Sequence, residues 1–141
     1  MRAANRYRQT QATTSSPEEV LLLLYDGAIR FAEEAVEHFE NEKFGAGGQR
    51  IGRVMAIVAE FQSSLDHKKA PDLCSTLDGL YSYMTNKLLE ANRNQDIEAL
   101  NEVMELLGDL RDTWRDAAGQ ARQEQAGGMK AAAGGDFRTQ A

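Results

Sequence analysis

The stretch SSPEEVLLLLYDGAIRFAEEA, Ser15 to Ala35, decides how the chain is read. Ser16 can cap a helix with its hydroxyl, Pro17 suits the first helical position, and Glu19 lies where it can reach back to the N–H of the cap. A helix therefore starts here. It continues Val20-Leu21-Leu22-Leu23-Leu24-Tyr25 without a polar residue, although a helix that buries one face needs an apolar side chain only every third or fourth position. On a wheel of about 100° per residue, Leu21, Tyr25, Ala28, Ala32, Ala35, Val36 and Phe39 form a core stripe. Val20, Leu24, Gly27 and Phe31 form a second stripe roughly a quarter-turn away, and Leu23 points almost opposite the core. Gly27 weakens the helix by about 1 kcal/mol relative to alanine, which suggests that something approaches the backbone there. Either neighbouring helices and the N-terminal arm cover this flank, or a partner chain does.

Outward from this helix the pattern repeats. The first helix is expected to run to about Lys43, with Gly45, Gly47 and Gly48 breaking it. Ile51, Val54, Met55, Val58, Phe61 and Leu65 mark a second helix, closed by the basic run before Pro71. Leu73, Leu77, Leu80, Tyr81, Met84, Leu88 and Ala91 mark a third. Ile97, Leu100, Val103, Met104, Leu107, Leu110 and Trp114 mark a fourth, with Asp96 as its cap. No segment alternates with period two over enough residues for a strand. The expected fold is all-α, an antiparallel up-down-up-down four-helix bundle, because short connections hold successive helices side by side. Residues 1–15 read as an arm with Tyr7 its one large apolar side chain, 16–122 as the bundle, and 123–141 as a disordered Gly/Ala-rich tail.

Composition narrows the function. The 141 residues carry 16 basic and 22 acidic side chains, a net charge of −6, which speaks against a phosphate-backbone binder and hence against nucleic acid. Cys74 is the single cysteine, so no internal disulfide forms, and an intracellular location is the expectation. The six-residue apolar run is far short of a membrane span, which excludes membrane insertion as its role. Neither His38 nor His67 has a glutamate three residues before it, so the Glu-x-x-His pattern of di-iron bundles is missing. Gly45-Ala46-Gly47-Gly48 lacks the Lys-Ser/Thr of a phosphate loop. No catalytic site, metal or cofactor is expected. What the sequence does supply is surplus apolar surface: Tyr83 and Leu89 also stand off the core face of the third helix, and such surface marks interaction sites.

Several short motifs share one order and spacing: Thr14-Ser15-Ser16-Pro17-Glu18-Glu19-Val20, Leu24-Tyr25-Asp26-Gly27-Ala28-Ile29, Ser64-Leu65-Asp66, Leu80-Tyr81-Ser82-Tyr83-Met84, Glu90-Ala91-Asn92 and Leu110-Arg111-Asp112-Thr113-Trp114. Together they resemble the flagellar secretion chaperone family FliS, from Tyr7 to about Trp114. The resemblance implies a helical bundle in the bacterial cytosol that binds the disordered C-terminal segment of flagellin in apolar grooves and keeps it from polymerising before export. It also implies that the arm, with Tyr7, covers part of the groove until cargo arrives, and that export-gate and other flagellar regulatory proteins are further partners. The expected partner surface comprises Tyr7, Val20, Leu23, Leu24, Gly27 and Phe31 on the first flank and Leu80, Tyr83 and Leu89 on the third helix. The alternative is a helical adaptor or homodimerisation module whose apolar flanks meet a second copy.

Overall fold

The computed structural model describes residues 16–140 of the chain. Four helices follow one another: α1 (Pro17–Glu40), α2 (Phe44–Ser63), α3 (Pro71–Asn94) and α4 (Ile97–Gln140), with no strand among the described residues. Residues Leu23–Asp109 form one compact unit, and those up to Leu22 together with those from Leu110 onward form another.

The Leu23–Asp109 unit contains part of every helix. Its pairings run antiparallel: Tyr25 of α1 stacks on Phe61 near the end of α2 at 4.2 Å between ring centroids, while Phe39 near the end of α1 meets Phe44 at the start of α2 at 6.1 Å. In the same sense, Gln62 of α2 donates to Asp78 Oδ1 and Ser82 Oγ of α3, both at 3.0 Å. Its centre is built from Tyr25, Ala28, Ala32, Ala35, Ile51, Val54, Val58, Leu77, Met84, Leu88, Leu100, Val103 and Leu107, all buried. Three alanines on α1 let the neighbouring helices come close, and the larger side chains opposite them fill the space. The centre also holds the Tyr25 and Tyr81 hydroxyls, 2.5 Å apart and hydrogen-bonded. A buried hydroxyl needs such a partner to offset its lost hydration.

The caps read from sequence are present. The Glu19 N–H donates to Ser16 Oγ at 3.2 Å, and the Ala99 N–H donates to Asp96 Oδ1 at 3.1 Å. The glycines, however, do not break the first helix. That helix ends at Glu40 because Glu42 takes a left-handed conformation (φ 58°), its N–H donating to Phe39 O and that of Lys43 to His38 O. This six-to-one closure terminates a helix without glycine, and Gly45, Gly47 and Gly48 belong to α2 instead. Gly47 is needed there: a methyl group at its Cα would strike the Phe39 ring.

Other expectations are corrected at element ends. α2 stops at Ser63, where Ser63 and Ser64 hydroxyls both donate to Glu60 O, so Leu65 lies beyond the helix. Leu73, expected in the core, is 53% exposed; it lies in the first turn of α3, where an apolar residue at a core angle has little alongside it. Leu21 and Val36, at the margins of the α1 stripe, are half-buried rather than buried. The backbone of α4 is helical through to Gln140. No proline interrupts that stretch, and alanine and long polar side chains favour helix between its glycines.

Candidate functional site

The candidate surface begins on α1. Tyr25, Ala28 and Ala32 turn fully inward, so the helical period carries Leu24, Gly27 and Phe31 onto the neighbouring flank, where all three are half-buried. Leu23 is 41% exposed, as its position away from the core requires. A Cβ added at Gly27 would meet nothing within 4 Å. The glycine therefore leaves an open notch among the described residues, and no neighbouring helix explains it. The Arg30 guanidinium stands 5.8 Å from the centroid of the Phe31 ring, giving the stripe a cationic edge.

On α3, Tyr83 and Leu89 are 41% and 48% exposed, and Leu80 is half-buried. The two exposed residues do not share a surface. Leu89 lies at the helical angle of Asp78 and Ser82, whose side chains meet Gln62 of α2. Tyr83 lies with Lys87 and Glu90, on the side facing Glu102 of α4. Its hydroxyl donates a hydrogen bond to Glu102 Oε1. Lys87 Nζ is 3.6 Å from both Glu90 and Glu102 and 5.7 Å from the Tyr83 ring centroid. The hydrogen bond to the Glu102 carboxylate is the main cause of a Tyr83 pKa raised above its ordinary value near 10. The carboxylate of Glu90, followed by Tyr83 and Glu102, raises that of Lys87. Tyr83 thus has an open ring and an engaged hydroxyl, a pairing with α4 that apolar periodicity cannot reveal.

Phe44, at the start of α2, is also exposed, at 48%, and sequence reading assigned it to no surface. It follows the turn, where helical period gives no guidance. Val20, in the other unit, is half-buried. In that unit Leu21, Trp114, Ala117, Ala118 and Ala121 line a cleft of about 180 Å³ beside Glu18, and Arg122 forms an ion pair with Glu19 at 3.8 Å. Tyr7 lies outside the described residues. No group of three or more His, Cys, Asp or Glu residues among the described ones is arranged to hold a metal ion, and no described helix is long and apolar enough to cross a membrane. Cys74 is buried, with its Sγ 3.4 Å from Asp66 O.

A helical bundle with exposed apolar side chains on its flanks presents the kind of surface on which other chains dock. The family model described as flagellar protein FliS matches residues 1–121, and the chain belongs to that family. It is 32% identical over 114 residues to the flagellar secretion chaperone FliS of Campylobacter jejuni, covering 81% of this chain and 89% of that one. It is 30% identical over 118 residues to the flagellar secretion chaperone FliSB of Pseudomonas aeruginosa, covering 81% and 94% respectively. A crystal structure of a bacterial flagellar chaperone superposes with a TM-score of 0.70 at 23% identity, over 85% of this chain and 98% of that one, and so shares the fold.

Proposed function

We propose that this protein is a cytosolic export chaperone that binds the disordered C-terminal segment of flagellin, blocks its premature polymerisation and assists its secretion. Family membership supports the flagellar role. The observation that supports segment binding is the α1 flank, where exposed Leu23 adjoins the half-buried Leu24, Gly27 and Phe31 around an open notch. A segment that orders only on binding spends part of its interaction energy on that ordering, so it needs broad apolar contact, and it remains releasable for the same reason. Binding alone accounts for such a function, with no enzymatic step. Delivery to the export gate and contact with other flagellar regulators complete the reading.

The test is calorimetric titration with a peptide of flagellin's C-terminal segment, which should form a one-to-one complex. Leu23→Asp adds a carboxylate at an exposed position, so helical circular dichroism should stay native while binding weakens at least about tenfold, equivalent to roughly 1.4 kcal/mol. Native binding by a folded Leu23 variant would remove this flank from the cargo surface. A stable dimer in light scattering that ignores the peptide would instead support the homodimerisation module.

A further inference from the structure

α2 begins unlike the other three helices. Ser16 caps α1 and Asp96 caps α4, and α3, which lacks a side-chain cap at Ala70, opens instead on Pro71 and Asp72. Lys43, before α2, makes no side-chain cap, and the first turn of α2 contains no acidic residue. The unpaired N–H groups of that end are left without the side-chain acceptor or favourable charge that usually steadies them.

Glycine weakens the same turns further. Gly45, Gly47 and Gly48 fall within the first five residues of α2, but they differ in what surrounds them. A methyl at Gly47 would strike Phe39, and one at Gly48 would lie 2.8 Å from Asn92 Oδ1, so both permit close packing. A methyl at Gly45 would meet nothing within 4 Å. Packing does not require this glycine, and it loosens the helix. From Phe44 to Arg50 no large side chain is buried: Phe44 is exposed, and Arg50 is half-buried with an ion pair to Glu34 at 3.3 Å. Both side chains of that pair are about one-third exposed, with the Arg50 Nε itself shielded, so solvent only partly screens the charged contact that ties this segment to α1. Ile51 is the first large buried side chain of α2, and Val54, Val58 and Phe61 follow it inward.

We infer that Phe44–Arg50 is a separately opening segment, which unwinds and recloses while Ile51 and the rest of α2 stay anchored. Gly45 sets how often it opens. Each opening removes α2 from the Phe39 ring and the Asn92 side chain, so the end of the bundle where α1 turns into α2 alternates between a packed and an uncovered form. Local opening of this kind occurs where buried apolar contacts are few.

Hydrogen exchange on the full chain tests the assignment. The amides of Gly48 to Val54 bond to carbonyls within or next to the segment, and they should exchange at least about tenfold faster than those of Leu100 and Val103. Gly45→Ala should slow that exchange about fivefold, the effect of one glycine-to-alanine change in a helix. Gly52→Ala is the control: it also faces open space, but it lies beyond the Ile51 anchor and should change the exchange by less than about twofold. The inference is overturned if these α2 amides exchange no faster than those of α4, or if Gly45→Ala leaves their rate unchanged. Equal slowing by both variants overturns it too, since the segment would then open only with the whole bundle.

Discussion

Gly47 shows how a single hydrogen atom in place of a methyl group can decide helix packing. Phe39 lies against its Cα, so Gly47→Ala should displace the ring and destabilise the bundle by about 1–3 kcal/mol, measured by urea denaturation. A stability equal to that of the parent would mean that the ring finds another place at no cost. Tyr83 makes a different point at the same scale, because its environment is electrostatic. Its pKa is raised, since the neutral phenol donates to Glu102. The stabilisation is therefore fully present below the ordinary tyrosine value and is lost as pH rises through the raised one. Replacing the carboxylate by an amide removes the negative charge that opposes phenolate formation. Glu102→Gln should lower the Tyr83 midpoint in an absorbance titration of the phenolate, assigned by difference from Tyr83→Phe. A midpoint that stays in place would show that Glu102 does not control the phenol.

Among elements, the starts of α1 and α4 were readable, whereas the stop of α1 and the start of α2 were not. Ser16 and Asp96 announce themselves because a capping side chain is a residue type at a fixed offset. The stops depend on Glu42 and Gln95, left-handed at φ 58° and 51°, and neither residue type signals that conformation. Glycine usually occupies such a position, which is why the glycines after Lys43 were read as the break. At the α3–α4 turn the Asp96 N–H reaches Ala91 O at 3.0 Å, closing the helix around Gln95. The turn therefore already has the geometry that glycine adopts without strain. Gln95→Gly should stabilise the bundle by up to about 1 kcal/mol, visible as a raised melting temperature. A lower melting temperature would mean that the Gln95 side chain, which donates to Asn92 O at 3.1 Å, outweighs the backbone strain.

For the whole molecule, the all-α architecture was legible because apolar residues three and four apart leave few alternatives. The candidate site was legible only in part. Helical period separates inward from outward residues, as it did for Tyr25 and Leu23, but it does not say which outward residues face the same neighbour. It therefore grouped Tyr83 with Leu89, although one adjoins α4 and the other lies on the side of α2. Nor could it anticipate Tyr83 bonded across to Glu102, a partner nineteen residues away.

The connections also bear on how quickly the bundle assembles. Three residues join α1 to α2, seven join α2 to α3, and two join α3 to α4. Most helix pairings within Leu23–Asp109 are consequently close in sequence, and chains dominated by such local contacts have little loop entropy to overcome before native contacts form. Refolding from urea, followed by rapid-mixing circular dichroism, should be complete within microseconds to milliseconds. A dominant phase lasting seconds would mean that assembly waits on a slower event than helix pairing. With rapid assembly, a newly made chain would be ready for its partner almost as soon as its last helix is free to dock.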